Sequence, residues 1–92
     1  MFKWKTCGEE LEFRYKFTDL NLHLLCTIKK DKNMYSWYIC LYNRFENSLQ
    51  CGSIQTYDIF KGWSDIYFLT QEEAKLHCEK KVEEILNNIR IK

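Results

Sequence analysis

Proline is absent from this chain, and no repeat, linker or low-complexity segment interrupts it, so nothing in the composition divides it. Glycine occurs only three times, too rarely for a glycine-rich phosphate loop, and the two histidines, His23 and His77, form no His-x-x-x-His pair. Charge of one sign is also lacking. A formal net charge of +1 sets up no global field that would favour nucleic acid, a membrane surface or an acidic substrate. No apolar run approaches the roughly twenty residues that span a bilayer. The opening Met-Phe-Lys-Trp-Lys reaches Glu9 and Glu10 before any long apolar run, so a secretory h-region is missing. A soluble, cytoplasmic protein with no membrane partner is therefore expected.

A chain of 92 residues can bury one core, which predicts a single domain over 1–92. That core needs neither metal nor disulfides, because the composition is 46% hydrophobic and 16% aromatic, and large rings bury much area per residue. Five cysteines without an export signal read as reduced thiols. Cys26, Cys40, Cys51 and Cys78 are expected at core positions and Cys7 at the surface.

The pattern itself changes period near Thr70. Before it, apolar residues recur every second position, as in strands; after it, Ala74, Cys78, Val82, Ile85, Leu86 and Ile89 recur at three and four. Strands are predicted over about 2–5, 11–17, 20–29, 34–42 and 48–57, and a helix over about 71–89. The clearest alternation sets Leu11, Phe13, Tyr15 and Phe17 against Glu12, Arg14 and Lys16. Residues 34–42 are apolar on both faces, which suits a central strand. Lys30, Asp31, Lys32 and Asn33 make one turn, and residues 43–47 a second. A hairpin centred on Phe45 would place Cys40 opposite Cys51. Gly52 is expected at a bulge or close approach. Residues 58–69 read as an irregular aromatic connection. Thr70 and Glu73 form a Thr-x-x-Glu capping box, with Leu69 and Ala74 placed as a staple, so the helix start is well marked. The fold class is α+β: a four- or five-stranded antiparallel meander with one C-terminal amphipathic helix on one face.

Candidate chemistry is sparse. His23 and Cys26 have the spacing of a zinc knuckle but point to opposite faces of a strand, so no metal and no cofactor are expected. His77 adjoins Cys78, yet neighbouring helical residues point about 100 degrees apart and do not make a dyad. The chain is read as non-enzymatic. Residues 1–45 carry eight Lys or Arg against five acids, so the strand half is mildly basic. Lys3, Lys5, Arg14 and Lys16 suit one sheet face, Lys29, Lys30, Lys32 and Arg44 lie at turns and strand ends, and Trp4 or Tyr38 offers stacking; together these suggest a nucleic-acid or acidic partner. Aromatic excess favours protein binding instead. Fifteen Phe, Trp and Tyr exceed what one helix on one sheet hides, and Tyr57, Phe60, Trp63 and Tyr67 are the expected partner-binding cluster. A homodimer through a strand edge or aromatic patch is compatible with either reading.

The order of a compact meander and a final helix opened by Leu69-Thr70-Gln71-Glu72-Glu73-Ala74-Lys75 resembles small accessory proteins of phages and mobile elements, including anti-CRISPR-type inhibitors. The resemblance implies a non-catalytic protein-binding module that blocks a host nuclease, ribonucleoprotein complex or similar defence machine by occupying a surface. It carries over no site residue. A small nucleic-acid-binding domain using the basic strand half is the alternative.

Overall fold

The computed structural model describes residues 2–17, 21–47 and 53–89, and side chains at 2–17, 21–44 and 58–88. Five strands precede one helix: β1 (Lys5–Cys7), β2 (Glu10–Phe17), β3 (Leu22–Asp31), β4 (Met34–Asn47), β5 (Ser53–Trp63) and α1 (Gln71–Ile89). Each strand pairs antiparallel with its neighbour in sequence, giving one sheet in the order β1-β2-β3-β4-β5. The α+β meander with its C-terminal helix packed on the sheet is thus the architecture expected from the change of period.

Alternation decides which face meets the helix. Phe13, Cys26 and Ile39 lie side by side across β2, β3 and β4, and Leu11, Ile28 and Trp37 form the next row. Ala74, Cys78, Val82 and Ile85 of α1 close over these rows, so one helical stripe and one sheet face make the core. Two indoles tie the layers together. Trp37 Nε1–H donates to His77 Nδ1 at 2.9 Å, and Trp4 Nε1–H donates to Glu79 Oε2 at 2.7 Å. The helix start follows its capping signal: Glu73 N–H donates to Thr70 Oγ1 at 3.1 Å, an interaction worth about 1 kcal/mol. Phe68, rather than Leu69, packs at this end; Leu69 remains 73% exposed and closes no staple.

The largest departure from expectation is the β4/β5 hairpin. Residues 43–47 form no turn but continue β4, and β5 spans Ser53–Trp63 instead of 48–57, so residues 58–63 are strand rather than irregular connection. The local turn signals of Asn43 and Asn47 yield here to pairing. The backbone of Trp37–Leu41 crosses the core, and without β5 its outward N–H and C=O groups would be buried unpaired. Asn47 pairs with Ser53, so the hairpin is not centred on Phe45, and Cys40 faces Lys61, not Cys51. Cys51 and Gly52 lie outside the described residues. The observed bulge sits elsewhere. Leu41 pairs with Phe60 and Tyr42 with Asp58, which leaves Ile59 over and resets the alternation of β5.

Smaller differences occur at the other ends. β1 begins at Lys5, with Phe2 and Trp4 preceding it and packing on Phe13, and Gly8 turns at φ 66°. β3 begins at Leu22 and runs to Asp31, so the turn contracts to Lys32 and Asn33, and Lys32 takes φ 59°. Residues 18–20, between the strands predicted over 11–17 and 20–29, lie outside the described residues.

Candidate nucleic-acid interface

The helix covers one face of the sheet only. On the other, β2 contributes Glu12, Arg14 and Lys16; β3 His23, Leu25 and Thr27; β4 Tyr38, Cys40, Tyr42 and Arg44; and β5 Asp58, Lys61 and Trp63. The registers arrange them in rows. Lys16, His23, Tyr42 and Asp58 share one row; Arg14, Leu25, Cys40 and Lys61 the next; Glu12, Thr27, Tyr38 and Trp63 the third.

At one end of this face is a depression of about 240 Å³ lined by Arg14, Tyr15, Lys16, His23, Leu24, Tyr42 and Arg44. His23 and Tyr42 are cross-strand neighbours with nearly parallel rings, centroids 5.3 Å apart at 13°. Burial, then Lys16 and Arg44, lower the His23 pKa from its ordinary value, because a further positive charge is unwelcome between two cations. Arg14 is the partly matched member: its Nη2 lies 3.2 Å from Glu12 Oε1, and this hydrogen bond raises its pKa. Lys16 and Arg44 form no ion pair among the described residues.

Farther along β4, Tyr38 and Trp63 make a second ring pair, with centroids 4.9 Å apart at 44°. Burial first, and then Cys40, push the Tyr38 hydroxyl up to about 12, so it stays neutral and a hydrogen-bond donor. Between the ring pairs the Cys40 thiol donates to Asp58 Oδ1 at 3.8 Å. Burial pushes this thiol up as well, against reactivity. Cys40 is therefore buried, as expected, but under this face rather than in the helix-side core.

The expected site residues are distributed differently from their sequence grouping. Phe60 and Trp63 leave β5 on opposite faces: Phe60 packs against the core, whereas Trp63 is 58% exposed beside Tyr38. Tyr67 is 57% exposed in the connection to α1, and the Tyr57 side chain lies outside the described residues. The four do not form one cluster. Lys29, Lys30 and Lys32 are exposed at the β3/β4 hairpin, whereas Arg44 stands eight residues along β4 from Ser36, the partner of Lys29. At about 3.3 Å per residue that is some 26 Å. Arg44 joins Arg14 and Lys16 instead. Trp4 is held on the helix side by Glu79 and offers no stacking surface on the open face.

Sequence reasoning missed Tyr42, Lys61 and the role of His23. The signal was alternation: Tyr38, Cys40, Tyr42 and Arg44 share a face once β4 is allowed to continue past residue 42. Among the described residues no group of three or more His, Cys, Asp or Glu is placed to hold a metal ion. No described helix is long and apolar enough to cross a membrane. No family model, curated protein or solved structure matches the chain.

Proposed function

We propose that this chain is a non-catalytic binding module whose helix-free sheet face takes single-stranded nucleic acid. One observation carries the reading: the stacked His23–Tyr42 pair lies in a depression walled by Arg14, Lys16 and Arg44. A ring surface accepts the face of any base, and nearby guanidinium and ammonium groups accept phosphate, which is the pairing that sequence-tolerant single-strand binders use. His77 Nδ1 is occupied by the Trp37 indole N–H, which supports a non-catalytic role for that ring.

Fluorescence anisotropy with a labelled single strand tests the proposal. With about three phosphates neutralised, affinity should fall roughly 20-fold between about 50 and 200 mM salt. Double substitution of Lys16 and Arg44 by Ala should remove most of the binding. Absence of retention by the wild-type protein at the lower salt overturns it.

A protein partner is the second reading, favoured by the exposure of Ile66, Tyr67 and Leu69 where the chain enters α1. This is where an inhibitor of a host nuclease or ribonucleoprotein complex would dock. Stoichiometric loss of such an enzyme's activity, relieved by Tyr67→Ser with Leu69→Ser, would support it; unchanged activity would remove it.

A further inference from the structure

Resting on the single-strand reading above, we infer that the open face holds at least two bases of one strand, one on the His23–Tyr42 rings and another on the Tyr38–Trp63 rings. Tyr38 and Tyr42 are four residues apart on β4, about 13 Å along the strand. One base reaches only one of these ring pairs. The floor between them is Leu25 and the buried Cys40, with Arg14 on the β2 side and Lys61 on the β5 side of the same row. A strand laid along β4 therefore meets a ring pair, a row flanked by two cations, and a second ring pair.

Charge limits the path. Glu12 and Asp58 belong to the same face, and both would repel phosphate. Glu12 is engaged by Arg14, and Asp58 accepts the Cys40 thiol, so the acids flank the central row without occupying it. The outer cations Lys16 and Arg44 serve the His23–Tyr42 end, and Lys61 serves the approach to Trp63.

Trp63 is its own reporter, because Trp37 is buried and Trp4 is half-buried on the opposite face. The experiment is a length series of oligouridylates read two ways: Trp63 emission and the His23 ring signals in NMR spectra. Uridine monophosphate should shift the His23 signals and leave Trp63 emission unchanged, whereas a tetranucleotide should move both. Trp63→Ala should weaken the tetranucleotide at least about fivefold, the lower end expected for losing one stacked base, and leave the mononucleotide unaffected. Trp63→Phe should restore most of the loss. Tetranucleotide binding that leaves Trp63 emission and the Trp63→Ala affinity at wild-type values overturns the two-platform arrangement while the single-strand reading stands. If no oligonucleotide binds at all, the single-strand reading itself fails. Equal affinity for a duplex overturns both, since paired bases cannot lie on rings.

Discussion

Single side chains divide the two faces of this sheet into one that packs on the helix and one that stays open. Trp37 and Trp4 place apolar rings against the core while each N–H finds an acceptor on the helix, so neither indole leaves a buried donor unpaired. Cys26 and Cys78 meet in the same core; the Cys78 thiol is pushed up by its hydrogen bond to Cys26 and by burial. His23 has the opposite setting. It faces Lys16 from β2, Tyr42 and Arg44 from β4, and Asp58 at the end of its row. Burial and the two cations hold its folded pKa below the ordinary 6.5, so the unfolded chain takes up the proton first. The stability tied to neutral His23 is complete above about pH 6.5 and is lost as the pH falls through the lower folded value. Urea unfolding at about pH 7.5 and 5.5 should show a smaller acid loss for His23→Gln than for the wild type. Equal losses would assign the acid sensitivity to other groups.

At the scale of elements, turn chemistry and pairing compete. Lys32 adopts φ 59° in the two-residue β3/β4 hairpin, a conformation that costs a side-chain-bearing residue about 1–2 kcal/mol. Lys32→Gly should therefore stabilise the fold by about 0.5–1 kcal/mol in chemical denaturation, after the greater unfolded-state entropy of glycine is counted. On the proposed single-strand reading the same variant should leave nucleic-acid affinity unchanged, because Lys32 lies in the hairpin beyond the rows that carry both ring pairs; a loss of affinity would extend the proposed interface to that hairpin. The strand faces of β2 and β3 and the α1 stripe were legible in sequence because Phe13, Leu24, Cys26, Val82 and their neighbours keep a strict period. The β4/β5 register was not. Asn43 and Asn47 look like turn residues, and the bulge at Ile59 shifts alternation by one, so no periodic reading of residues 53–63 could have matched Trp63 to Tyr38. The candidate site was legible in parts for the same reason: Arg14 and Lys16 follow from β2 alone and Tyr42 from the alternation of β4, whereas Arg44 joins them once β4 runs past residue 42 and Trp63 only once the β4/β5 register is known.

For the whole molecule, the sequential strand order makes each interface a hairpin of neighbours, with α1 covering β3 and β4 from one side. β3 over Leu22–Ile28 and β4 over Tyr38–Asn43 are flanked by strands on both sides, and the helix packs on these two strands, so their amides should exchange slowest in native-state hydrogen exchange. The amides of β1, three residues at one border, should exchange fastest among the strands. Uniform protection across the sheet would contradict this layered picture. At the opposite border, β5 presents eleven residues without a further strand partner among the described residues, a length that ordinarily invites a visiting strand. Ile59 gives that border two phases. A straight newcomer whose side chains match Phe60 and Gly62 falls out of step at Asp58, and can continue only by carrying an irregularity of its own. The surplus residue thus works as a mismatch lock, discouraging chains from stacking edge to edge into fibres.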